Sequence, residues 1–199
     1  MLSIIASMSL FAFIGAASPG PVNIIAVSSS AAFGFKQTVS HVLGASLSYA
    51  LIVYCVGLGL GEVLLMYPQI TQILQYLSAA FLLFIAYKIA FTGAQLDKDD
   101  HRQLQRPSLL QGALAQGLNP KAWLVSMSGV SIFVSANNPA ELYLLVFTSV
   151  SFVICVIGVG IWAIIGQVLS RLLKDVRNLL LFNRVMGALL ALSVVSMFL

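Results

Sequence analysis

Residues 11–30 read FAFIGAASPGPVNIIAVSSS, and two features of that stretch decide the fold. It carries no Lys, Arg, Asp or Glu, and its middle, Ser18-Pro19-Gly20-Pro21-Val22-Asn23, is a helix-breaking run inside an apolar segment. The charge-free region extends over residues 1–35, and 37–61, 63–87, 122–140 and 142–170 are equally free of charge. A helix that crosses a bilayer needs ~20 mostly apolar residues, so all of these but 122–140 are comfortably long enough. Hydrophobic residues make up 60% of the 199-residue chain and charged residues 8%, with a mean hydropathy of +1.01, whereas a soluble domain carries about 25% charged residues. Water cannot be the solvent for such a surface, and the chain reads as an all-α integral membrane protein.

The pattern predicts six transmembrane helices, at 4–27, 38–62, 70–92, 109–134, 141–168 and 179–199. Arg184 interrupts the last of these and must snorkel to the interface if that helix spans, so five spans is the alternative. No Lys or Arg precedes the first apolar run, which therefore reads as a retained span rather than a cleaved signal. With six spans, Lys36, Lys88, Lys98, Arg102, Arg106, Arg171, Lys174, Arg177 and Arg184 all fall in or beside the loops after spans 1, 3 and 5. The positive-inside rule makes those loops cytoplasmic and puts both termini outside, with Tyr67 and Tyr143 at the outer rim. This partition explains the net charge of +4 without nucleic acid. Arg171, Lys174 and Arg177, with Leu172, Leu173 and Val176 opposite, suggest a short interfacial helix.

The one polar linker, 95–108, divides a single membrane domain into halves of about 1–94 and 109–199 with three spans each. An odd number per half inverts the second relative to the first, a 3+3 inverted repeat. At an offset of 101 residues Pro19 matches Pro120, Gly57 matches Gly158 and Gly59 matches Gly160. Ser18-Pro19 in span 1 and Asn119-Pro120-Lys121 in span 4 each set a capping side chain before a proline, the order of a helix start. Spans 1 and 4 thus read as broken helices that restart inside the membrane. Their free N–H groups and positive dipole ends suit an anion such as an amino-acid carboxylate. Matched interruptions in two halves point to a transporter's substrate site, here Ser18, Pro19, Gly20, Pro21, Asn23, Asn119, Pro120 and Lys121.

Lys121 lies mid-span, where a charge costs ~2.5–3.5 kcal/mol and demands a cavity or a partner. It either meets the substrate carboxylate, changes protonation during the cycle, or bonds carbonyls freed by a broken helix. Asn23 and Asn119 are placed to bond substrate or neighbouring helices. Glu62 and Glu141 fall at outer helix ends, so no carboxylate relay stands near a span centre. His41, at the inner start of span 2, reads as solvated at the interface, and Trp123, Trp162, Gly44, Gly57, Gly59 and Gly61 read as packing residues.

At Pro19-Gly20-Pro21 with Asn23, and at Asn119-Pro120-Lys121, the chain resembles the LysE/RhtB family of amino-acid exporters over essentially its whole length. Asn23–Ser29 followed by Gly34-Phe35-Lys36-Gln37 is most similar to the cysteine and O-acetylserine exporter branch, with Val22 where that pattern often has a second Asn. The resemblance implies a secondary transporter of the cell inner membrane that exports a small neutral amino acid or derivative, coupled to protons. It implies no enzyme activity, cofactor or metal, and is compatible with a homo-oligomer.

Two rivals compete with that reading. Cys55 and Cys155, in spans 2 and 5, suggest a membrane thiol-redox carrier, although neither adjoins a basic residue or a helix break that would activate it. A passive channel shares the fold class. A hydrolase lacks any Ser, His and carboxylate set at a common depth.

Overall fold

The computed structural model describes residues 2–91, 107–173, 175–195 and 198. The linker expected at 95–108 lies outside the described residues except for Pro107 and Ser108. Helices and short connections account for the described residues, with no strand among them. α1 (Leu2–Ala17) and α2 (Pro21–Phe33) are two arms of one apolar segment, bent by 64° at the Ser18–Gly20 break. Gly34, at φ +87°, then reverses the chain into α3 (Phe35–Cys55). A π-turn, Val56–Leu60, carries α3 on into α4 (Gly61–Met66). Gly59 in that turn sits at φ +104°, a region strained for any residue with a Cβ. α5 (Pro68–Phe91) follows. Beyond the linker come α6 (Leu109–Gly117), α7 (Pro120–Val130) with a terminal π-turn Ser131–Ser135, α8 (Ala140–Leu172) and α9 (Val176–Val195).

Four helical segments are long and apolar enough to cross a membrane alone, Phe35–Met66, Pro68–Phe91, Ala140–Ser170 and Arg177–Val195, and the bent pair α1–α2 makes a fifth if it is one span. α6 and α7, with 9 and 11 residues, are each about half the ~20 residues a crossing needs. The expected span at 109–134 is therefore two half-helices. The expected interfacial helix around Arg171 and Arg177 does not form. No Gly or Pro lies between Gly166 and Leu172 to stop α8, which runs to Leu172. The chain then turns at Leu173, and α9 begins at Val176 with Asp175 Oδ1 accepting from the Arg177 N–H at 3.1 Å. Lys174 lies outside the described residues.

α8 is the centre of the bundle, packed on α1, α2 and α3; α3 also packs along α6, and α5 pairs with α9. Small residues let these backbones approach, as helix association in lipid requires. A Cβ at Gly44 would fall on the Leu109 carbonyl, and one at Gly112 on the His41 carbonyl, so α3 and α6 touch main chain to main chain. Gly158 meets Ala16 and Gly166 meets the Val27 carbonyl in the same way, seating α8 on both arms of the broken segment. Every residue of α2 from Pro21 to Ala31 is buried, while Leu47, Leu51, Leu83, Phe84, Ile157, Ile161 and Ile164 face outward. This apolar exterior around a partly polar core helix suits a hydrocarbon solvent.

Candidate functional site

The break between α1 and α2 starts from two prolines. A residue before proline is kept out of the α region, so Ser18 and Gly20 cannot both continue a helix, and the chain restarts only at Pro21. Gly20 is the N-cap, fully extended at φ −174° and ψ 173°, and no side chain caps it. The expected N-cap role of Ser18 is thus corrected. Its hydroxyl instead donates back to the Gly15 carbonyl at 3.2 Å, in the last turn of α1. At the second break Asn119 does cap, its Oδ1 accepting from the Lys121 N–H at 3.1 Å with Pro120 in the first helical position. The structural counterpart of Pro120 is accordingly Pro21, not Pro19.

Ending a helix inside a membrane strands its last carbonyls, which no water can reach in hydrocarbon. Here each one has a donor. Asn23 Nδ2 donates to Ala16 O at 2.8 Å and to Ser18 O at 2.9 Å. The Trp162 indole donates to Ala17 O at 3.0 Å, from α8. Lys121 Nζ reaches across from α7 to Ser18 O at 3.1 Å and Ser18 Oγ at 2.6 Å. Of the roles open to Lys121, the carbonyl-bonding one is therefore observed, and it ties the second break to the first. α6 ends in the same manner, the Trp123 indole donating to Gly117 O at 2.8 Å; beside it Asn119 Nδ2 donates to the Gln116 side-chain Oε1 at 3.3 Å. Trp123 and Trp162 are hydrogen-bond caps of two broken helices as well as packing residues.

The two breaks enclose a cavity of about 30 Å³. From the breaks it is lined by Ser18, Gly20, Asn23, Gln116, Asn119 and Lys121, together with Gly15, Ala16, Val22, Ala122 and Val125. α3 contributes Tyr49, and α8 contributes Cys155 and Val159. Pro19, Pro21 and Pro120 shape the breaks without appearing in that lining. Asn23 Oδ1 is buried with no hydrogen-bond partner. The cavity also meets the N-terminus of α2, where helix geometry leaves the first N–H groups without carbonyl partners. A helix N-terminus suited to an anion, the Lys121 side chain and Asn23 with its unpaired amide oxygen thus meet at a single small space.

Three polar lining residues, Tyr49, Gln116 and Cys155, were not among the sequence candidates. Gln116 had a signal, standing one turn before Asn119; Tyr49 and Cys155 depend on how α3 and α8 are rotated. His41 departs from expectation in the other direction. It is fully buried, not solvated, and its Nε2–H donates to the Val22 carbonyl at 3.2 Å. The reason is the single-residue turn at Gly34, which folds α2 back over the start of α3. No group of three or more His, Cys, Asp or Glu that could hold a metal ion occurs among the described residues.

The chain is similar to proteins named cysteine/O-acetylserine efflux protein from Escherichia coli strain K12, Shigella flexneri and Shigella sonnei strain Ss046. Each is 28% identical over 189 residues, covering 94% of this chain and 94% of the relative. No solved structure matches the chain. The family model described as LysE type translocator matches residues 13–198, spanning both helix breaks and the cavity between them, and the chain belongs to that family.

Proposed function

We propose that this protein exports a small neutral amino acid or derivative across the cytoplasmic membrane, using the cavity between the two helix breaks as its substrate site. The observation that carries the reading is the meeting of those breaks, Lys121 of one on Ser18 of the other, around a space lined by Asn23 and Asn119. The substrate carboxylate binds the N-terminus of α2 beside Gly20 and the Lys121 ammonium, and the substrate amine is received by Asn23 Oδ1. The efflux proteins it resembles make cysteine and O-acetylserine the first substrates to try, with homoserine, threonine and leucine next.

A cavity of about 30 Å³ holds roughly two waters, each needing ~10–15 Å³. An amino acid is larger, so binding one requires the breaks to part. We infer six spans arranged as a 3+3 inverted repeat whose halves rock about the cavity, with both termini outside and the proton gradient as driving force. Lys121 then has two partners in turn: Ser18 when the site is closed, the carboxylate when it is filled.

The test is efflux of cysteine, O-acetylserine, homoserine, threonine and leucine from preloaded cells expressing wild type or Lys121→Ala, with and without a proton uncoupler. Uncoupler-sensitive export of at least one, lowered about tenfold or more in the variant, is expected from the loss of a charge-assisted contact. Export of none would overturn the exporter reading, and flux indifferent to the uncoupler would favour a channel.

A further inference from the structure

The features assigned so far recognise what all amino acids share, the carboxylate and the amine. Nothing in them distinguishes one side chain from another. The rest of the wall includes Tyr49 of α3 and Cys155 and Val159 of α8. Tyr49 is only 4% exposed. Its hydroxyl and the buried Ser126 Oγ have only each other to pair with, and the Cys155 thiol stands beside them. Buried hydroxyls are nearly always hydrogen-bonded. Two hydroxyls that pair only with each other spend one proton and leave the other unspent, and with Tyr49 lining a substrate cavity the group that takes up the remainder is the ligand.

We propose that Tyr49, backed by Ser126 and Cys155, is the side-chain subsite of this cavity and selects amino acids whose short side chain ends in a hydrogen-bonding group over hydrocarbon side chains of equal size. The proposal rests on the exporter reading above and deepens it. A phenol hydroxyl both donates and accepts, so it pairs equally with an alcohol, a thiol or an ester carbonyl. A methyl in the same place leaves that capacity unmet. A pocket built to bond a polar group rejects the analogue lacking it much more strongly than an apolar pocket rejects a missing methylene.

Proteoliposomes holding purified protein are assayed with two size-matched pairs, threonine against valine and cysteine against 2-aminobutyrate. Wild type is expected to favour the polar member by about tenfold or more in kcat/KM. Tyr49→Phe is expected to shrink that ratio to about threefold or less, through a fall in kcat/KM for the polar member. A merely structural role for Tyr49 would slow both members alike and leave the ratio unchanged, which would overturn the proposal. So would a wild type that transports both members equally, although the exporter reading would then stand. Transport of neither pair nor of any other amino acid would remove the exporter reading, and this inference with it. Should Tyr49→Phe fail to insert, the thermal stability of wild type decides: threonine raising Tm more than valine supports the subsite, and equal shifts overturn it.

Discussion

Single side chains hold the two breaks together. Among the described residues Trp162 is the donor to the Ala17 carbonyl, and a buried carbonyl deprived of its partner costs about 1–3 kcal/mol. Trp162→Phe should therefore lower the Tm of the purified protein in detergent, with Trp123→Phe doing the same through Gly117. A Tm unchanged in both would show that other donors close the helix ends. Asn23, Asn119 and Lys121 were legible in the sequence because a polar or charged residue deep in an apolar run must have a reason to be there. Trp162 was not, since a tryptophan in a membrane helix looks like packing and its acceptor lies 145 residues away. Ser18 was legible as part of a break but misread in role. A serine before proline looks like a helix start, and only the second proline, which keeps Gly20 extended, moves the start to Pro21.

Elements are seated by glycines whose partners the sequence does not show. Gly112 admits the His41 carbonyl, so Gly112→Leu should force α6 from α3 and cost at least about 1–3 kcal/mol, the usual range for overpacking. Gly160 lies on the same long helix as Gly158 with nothing within 4 Å of its missing Cβ. Gly160→Ala should be neutral or stabilising by up to about 1 kcal/mol, as alanine is the better helix former. Comparing the two Tm values checks both, and equal losses would mean that close approach is not what Gly112 provides. The helical segments themselves were readable from charge-free length alone, apart from their edges and the α8–α9 joint. The 109–134 segment was read as one broken span, and its halves prove individually too short to be recognised by length. The rotation of α3 and α8, which brings Tyr49 and Cys155 to the cavity, leaves no mark in a run that is apolar on every side.

At the scale of the molecule, the proposed inverted repeat makes a topological prediction. An alkaline phosphatase reporter fused after Leu199 should be active outside the cytoplasm, and one inserted at Asp99 inactive. With five spans the terminal fusion would be silent. A groove of about 710 Å³ lies between α4, α5 and the Gly117–Trp123 region. The chain has only two tryptophans, and each indole is bonded to the end of a different broken helix. The protein thereby carries its own pair of optical gauges. Emission from Trp123 and Trp162 should shift as each break loosens around substrate, and single-tryptophan variants would time the two halves separately, without any label added to the membrane.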